Sequence, residues 1–90
     1  MNLVLYATLR EIVGQSEVVV PLPTRRDLLS CLNDLAMQYG QEWRDTVLGE
    51  DGGMSEYVRI YVNGKEIHDL AKVVVGDEDN VEILVPVAGG

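Results

Sequence analysis

The sequence V-E-I-L-V-P-V-A-G-G, residues 81–90, combines a strand with a short tail that ends in two glycines. Residues 81–85 are rich in β-branched side chains, which predicts a β-strand that ends at Pro86. The segment 86–90 reaches about 16 Å when fully extended. Because glycine has no Cβ, the pair Gly89-Gly90 fits a channel that excludes larger residues. We therefore predict a flexible tail at 86–90 whose reactive group is the carboxylate of Gly90.

The N-terminal segment predicts a β-hairpin with a long loop. Residues 2–7 place Leu3 and Leu5 on one face at the period of a β-strand. Residues 8–14 are interpreted as a connector, and residues 16–20 as a second strand that ends before Pro21. We expect the two strands to pair with each other.

One long helix follows the hairpin. Thr24 is suited to cap its N-terminus, and Asp27 three residues later resembles a capping box. Gly40 supplies a left-handed stop, so we predict a helix from Thr24 or Arg25 to about Tyr39. Its apolar face consists of Leu28, Leu29, Leu32, Leu35, Ala36 and Tyr39.

The second half of the chain predicts further strands. Residues 41–48 are interpreted as a short helical turn with Trp43 as a core anchor. Residues 57–62 alternate two faces, Asn63-Gly64 is typical of a hairpin turn, and residues 65–67 would pair back. This order predicts an α+β fold in which one main helix packs across a mixed sheet, with the first and last strands parallel at its centre. The predicted core is Leu3, Leu5, Leu28, Leu32, Leu35, Ile60, Val62, Ile83 and Val85.

Length, charge and rare residues limit the function. A chain of 90 residues is expected to form one domain, 1–90. The net charge of −8 argues against a nucleic-acid partner and is compatible with a partner that presents a basic face. No window approaches the ~20 apolar residues of a membrane span, and the first residues lack the basic start of a signal peptide. We therefore expect a cytoplasmic protein that does not bind a membrane.

Side-chain catalysis has little support in the sequence. Cys31 is the single cysteine and His68 the single histidine, so we expect no metal site. We interpret Cys31 as an inert thiol and His68 as a loop residue, and we interpret the acidic loop 50–56 as solvated. A bound cofactor is likewise not expected.

Four motifs together resemble a known family. They are L-R-E-I-V-G at 9–14, Y-V-N-G at 61–64, G-D-E-D-N at 76–80 and V-P-V-A-G-G at 85–90. With the single long helix, they resemble the MoaD/ThiS family of ubiquitin-like sulfur carriers, and the resemblance covers essentially the whole chain. It implies the β-grasp fold.

The resemblance also implies a mechanism. An ATP-using activating enzyme, similar to ubiquitin-activating enzymes, would adenylate the carboxylate of Gly90. A sulfur donor would then replace AMP, and a synthase subunit would accept sulfur from the thiocarboxylate. The residues that would thread the partner's active site are Pro86, Val87, Ala88 and Gly89.

A partner must also recognise the folded part of the carrier. By strand alternation, Tyr6, Arg59, Tyr61 and Leu84 should share the sheet face opposite the helix. We interpret this face as the docking surface for the partner; the alternative is an ordinary solvent-facing sheet.

Several functions remain open at this point. The first is sulfur donation for molybdopterin, and the alternatives within the family are sulfur donation for cysteine or thiamine synthesis and attachment to protein lysines through Gly90. Molybdopterin synthase small subunits often carry aromatic residues and two prolines before the tail. This chain has Ile83-Leu84-Val85-Pro86 there, which keeps these alternatives open. The last is a β-grasp interaction module without any chemistry of its own.

Overall fold

The computed structural model describes residues 1–86, which form three α-helices, one 3₁₀ helix and seven strands. In chain order they are β1 Asn2–Leu5, α1 Ala7–Val13, β2 Glu17–Val19, β3 Arg26–Asp27, α2 Leu28–Tyr39, α3 Gln41–Val47, β4 Arg59–Val62, β5 Lys65–Ile67, the 3₁₀ helix Leu70–Lys72, β6 Val74–Val75 and β7 Asn80–Leu84. Within these residues, no helix has the length and apolarity that crossing a membrane requires.

The main sheet has five strands in the order β2-β1-β7-β4-β5. Strands β1 and β7 are parallel, with Leu3 opposite Val81 and Leu5 opposite Ile83. The other three pairings in this sheet are antiparallel, so the sheet is mixed. The predicted α+β fold, with its first and last strands adjacent at the centre, is confirmed.

The helices and one face of the sheet enclose the core. Alternate strand residues point inward, and Leu3, Leu5, Ile60 and Ile83 are at most 1% exposed. Trp43 is fully buried, and its indole N–H donates a hydrogen bond to the carbonyl of Leu32 at 3.3 Å. The helices add Leu9, Leu28, Leu32, Leu35, Ala36 and Val47 to the same cluster.

Two predicted core residues are only partly buried. Val62 and Val85 pack against the core from its margin. Val62 ends β4 immediately before the exposed turn Asn63-Gly64, and Val85 follows the last residue of β7. Each therefore has neighbours on one side along its strand only.

The long helix begins later than the sequence predicted. Instead of starting at Thr24 or Arg25, α2 starts at Leu28 and is capped by Asp27, whose carboxylate accepts the Ser30 N–H at 2.9 Å. This hydrogen bond holds the pKa of Asp27 below its ordinary value. Residues 26–27 cannot be helical because they form β3, which pairs with β6 in a separate two-stranded sheet.

The segment interpreted as a connector is also helical. Helix α1 occupies the loop between β1 and β2 and buries Leu9 in the core. It ends at Gly14, whose φ of +87° and N–H bond to the Arg10 carbonyl form a left-handed cap. The hairpin of β1 and β2 is confirmed, but its loop is a packed element.

Truncation of Leu32 should destabilise the fold. Leu32 lies on the inward face of α2 and is fully buried. We expect Leu32→Ala to lower the free energy of unfolding by about 2–5 kcal/mol, because it removes apolar contacts and leaves a cavity. The matched control is Met37→Ala on the same helix, where the side chain is 81% exposed. Urea denaturation should show an effect within about 0.5 kcal/mol for the control, and an equal effect in both variants would contradict the assigned core.

Candidate functional site

The tail leaves the fold from the end of a central strand. Strand β7 has neighbours on both sides, β1 and β4, and it ends at Leu84. Pro86 follows as an exposed residue and is the last one described. The other predicted tail residues lie outside the described residues: Val87, Ala88, Gly89 and Gly90. Their predicted mobility and chemistry therefore stay predictions. The structure shows that the predicted tail 86–90 follows the end of β7 by one residue, Val85.

The four residues predicted for docking lie on one sheet face. Arg59 is opposite Leu84 in the β4–β7 pairing, and Tyr61 is opposite Glu82. Tyr6 follows directly after β1, whose last residue is opposite Ile83. We call this side the open face, because the core and the helices lie on the other side. Tyr6 is 41% exposed, Arg59 is exposed, and Tyr61 and Leu84 are half-buried. The structure thus brings all four together beside the root of the tail, while their docking role stays a prediction.

A shallow groove connects the root of the tail with this face. It has a volume of about 400 Å³ and is lined by Pro86, Tyr57, Arg59 and His68 among others. Tyr57 is 70% exposed, so an aromatic ring is available at its wall. A larger open depression of about 1090 Å³ lies between α3 and the loop 49–57, and its lining does not include Pro86.

Three glutamates also lie on the open face, and the sequence did not predict their position there. The cross-strand register aligns Glu17 with Val4, Val4 with Glu82, Glu82 with Tyr61, and Tyr61 with Glu66. We call Glu17, Glu82 and Glu66 the carboxylate row. The Tyr6 hydroxyl donates a 2.7 Å hydrogen bond to the central member, Glu82, and this bond raises the pKa of Tyr6 above its ordinary value. Strand alternation from Leu84 was the signal that could have placed Glu82 here.

Two of the sequence motifs meet at the opposite end of the sheet. The Asn63 side chain donates to Asp79 at 2.9 Å and accepts from the Asn80 N–H at 2.9 Å. Asp79 also accepts the Gly76 N–H at 2.7 Å, and these bonds, led by that from Asn63, hold its pKa below the ordinary value. Asn63 and Gly64 have φ values of +52° and +85°, which fit the tight hairpin turn predicted here. These hydrogen bonds between the motifs Y-V-N-G and G-D-E-D-N therefore hold the neighbouring ends of β4 and β7 in register.

Comparison with protein-family models identifies the chain. The model described as the ThiS family matches residues 3–90. The chain belongs to the ThiS family. No curated protein sequence matches it significantly.

Solved structures support the same fold for this ThiS-family chain. The small archaeal modifier protein 1 of Methanosarcina acetivorans is 27% identical, with a TM-score of 0.72 over 99% of this chain and 94% of that one. SAMP1 from Haloferax volcanii is 24% identical, with a TM-score of 0.76 over 100% and 98% of the two chains. A chain of the BexX/CysO complex of Amycolatopsis orientalis is 22% identical, with a TM-score of 0.76 over 99% and 98%. The last two show the fold alone, and the predicted ubiquitin-like β-grasp fold is confirmed.

The described part of this ThiS-family chain offers no obvious catalytic group. Cys31 is a buried free thiol whose pKa is raised by its burial, and a buried neutral thiol is a poor nucleophile. His68 is exposed beyond β5. Among residues 1–86, no group of histidine, cysteine and acidic side chains could hold a metal ion. What the open face provides is a mixed apolar and acidic surface at the root of the tail.

Proposed function

We propose that this ThiS-family protein is a sulfur carrier whose chemical group is the carboxylate of Gly90. The observation that carries the proposal is the extension of the family match to residue 90, so that it includes Gly89-Gly90. The position of Pro86 supports it, because the tail starts next to an exposed groove and a sheet face free of helices. Among the pathways that could receive the sulfur, we propose molybdopterin synthesis first, on the sequence resemblance.

The chemistry requires activation by a partner. A terminal carboxylate has a pKa of about 3.5, so it is ionised at neutral pH and resists nucleophiles. In the proposed first step, one carboxylate oxygen of Gly90 attacks the α-phosphorus of ATP and pyrophosphate leaves. Hydrosulfide then attacks the acyl carbon to form the thiocarboxylate, and AMP leaves with the oxygen that was activated. The activating enzyme holds ATP, and a synthase subunit accepts sulfur from the thiocarboxylate.

This division of labour fits the residues of the carrier. The proposed partners supply the catalytic groups, and the carrier supplies reach and recognition, as other group carriers do. In the proposed complex, Tyr6, Arg59, Tyr61 and Leu84 contact the activating enzyme while Pro86, Val87, Ala88 and Gly89 thread its active site. Since the reaction consumes ATP, we place the carrier in the cytoplasm.

ATP–pyrophosphate exchange tests the proposal. The purified carrier is mixed with the purified activating enzyme of the same organism, Mg·ATP and labelled pyrophosphate. We expect label to enter ATP only when the carrier is present, because adenylation of Gly90 is reversible. Exchange at the rate of the enzyme alone would contradict activation and would favour an interaction module.

Attachment to proteins is the second candidate function. It is favoured by the 27% identity to a protein named small archaeal modifier protein 1. Both functions begin with adenylation, and they differ in whether sulfur or a lysine amine attacks the acyl carbon. Mass spectrometry of proteins from the host distinguishes them: a modifier yields lysines that carry the C-terminal peptide of this chain through an amide bond.

A further inference from the structure

The carboxylate row is distributed across the whole open face. Glu17 lies on the edge strand β2, Glu82 on the central strand β7, and Glu66 on the opposite edge strand β5. Neighbouring strands are about 4.8 Å apart, so successive members of the row are separated by roughly 10 Å. That distance slightly exceeds the Debye length at physiological salt, about 8 Å, so the three charges reinforce one another at low salt and act more separately as salt is added.

Among residues 1–86, no basic side chain forms an ion pair with a member of this row. In the part of the chain that the structure describes, the ion pairs of basic side chains are Arg26–Asp34 and Arg25–Asp79, and both lie off the open face. Arg59 is on the open face and lines the same groove as Glu66, but it is aligned with Leu84, two residue pairs away from the Tyr61–Glu82 pair, and forms no ion pair with the row among the described residues. The hydroxyl of Tyr6 gives Glu82 a neutral donor, which fixes the direction of that carboxylate and leaves its charge in place.

Apolar and aromatic groups separate the carboxylates. Val4 lies between Glu17 and Glu82, and Tyr61 lies between Glu82 and Glu66. A protein that covers Val4, Tyr61 and Leu84 must also remove water from Glu82 and Glu66, which are already half-buried. Removing water from a carboxylate has a large free-energy cost unless the carboxylate gains a cation or hydrogen-bond donors. An apolar or acidic partner surface is therefore incompatible with docking here.

We propose that the open face selects a partner which presents arginine or lysine side chains to the carboxylate row, with one of them opposite Glu82. This inference rests on the proposed function, since the partner concerned is the activating enzyme. Tyr6 acts as a positioning residue that holds the Glu82 carboxylate toward the partner. The net charge of −8 adds long-range attraction to a basic surface and so accelerates encounter.

The test replaces the charges and keeps the shapes. The row variant combines Glu17→Gln, Glu66→Gln and Glu82→Gln, in which the new amide at position 82 still accepts the Tyr6 hydroxyl. The matched control combines Glu42→Gln, Glu50→Gln and Glu78→Gln, which are exposed positions away from the open face. Both variants change the net charge equally. ATP–pyrophosphate exchange is measured against carrier concentration at about 50 and about 300 mM NaCl, on either side of physiological screening.

In the row variant, the carrier concentration that half-saturates exchange should rise, and the maximal exchange rate should not change. At low salt, the row variant should need about tenfold more carrier than the wild type, which corresponds to about 1.4 kcal/mol of binding free energy. Added salt should weaken binding of the wild type and the control strongly and that of the row variant only slightly. The maximal exchange rate should be equal, because the tail is unchanged.

Two other outcomes would overturn the inference in different ways. If the wild type exchanges normally and the row variant shows the same half-saturation and salt dependence as the control, the open face does not select a basic partner, and the proposed function stands. If the wild type shows no exchange at all, the proposed function fails and the inference fails with it. Melting curves of both variants establish that the fold is intact.

Discussion

Deletion of Gly90 should abolish ATP–pyrophosphate exchange and leave the melting temperature close to that of the full chain. The deletion withdraws the terminal carboxylate by one residue, about 3.3 Å along an extended chain. In-line attack on the α-phosphorus of ATP does not tolerate such a displacement, since a misplacement of about 1 Å can cost about a hundredfold in rate. Among the described residues, the core and the side chains packed against it extend to Val85, and we expect the fold not to depend on Gly90.

Two further variants make this prediction specific to position and shape. Gly89→Val keeps the length of the tail but adds a branched Cβ, and we expect exchange to fall nearly to zero because the channel fits bare backbone. Ala88→Gly keeps both the length and the terminal carboxylate, and it should exchange at close to the wild-type rate. Exchange at the wild-type rate in the Gly90-deleted protein would show that this carboxylate does not receive AMP, and both the sulfur-carrier and the modifier functions would fail.

Leu84→Asp should weaken binding to the activating enzyme by at least about tenfold while the protein stays folded. Leu84 is half-buried on the open face, opposite Arg59 and two residues before Pro86. The substitution removes an apolar contact and places an anion where the partner excludes water, and a loss of about 1.4 kcal/mol already lowers affinity tenfold. Titration calorimetry with the purified enzyme measures the change.

Val19→Asp is the matched control for this variant. Val19 is on the same face and 77% exposed, but it lies on the edge strand β2, paired with Asn2 at the end of the sheet far from the tail. The same change of charge should have a clearly smaller effect there. Normal binding of Leu84→Asp would refute the assignment of the open face as the docking surface and would direct attention to the helical side.

Local patterns predicted the strands better than the helix boundaries. The alternation of Leu3 and Leu5 and the turn Asn63-Gly64 depend on neighbours in sequence, and both were confirmed. The start of α2 depends on residues 26–27 pairing with Val74–Val75, almost 50 residues away in sequence, and no local pattern encodes that contact. Leu9, Ile12 and Val13 have the spacing of a helix face, so the helix α1 was visible in the sequence and was misinterpreted as a connector.

The open face was predicted in part for a similar reason. Alternation along single strands placed Tyr6, Arg59, Tyr61 and Leu84 on one side without knowledge of the pairing. The carboxylate row requires the register of four successive strand pairings, because Glu17, Glu82 and Glu66 come from three different strands. Register follows from the packed sheet and its turns, and only the structure provides it.

The central claim is that the Gly90 carboxylate is converted into a thiocarboxylate. The most direct measurement is the intact mass of the protein purified from its own host, with the Gly90-deleted protein expressed in the same host as the control. Exchange of one oxygen for sulfur adds about 16 Da, as expected of a group carrier in its loaded form. We predict a heavier species of that mass in the wild type, which is lost on mild hydrolysis and absent from the deletion variant. A wild-type protein that shows the carboxylate mass alone, or the same added mass in the deletion variant, would contradict the account.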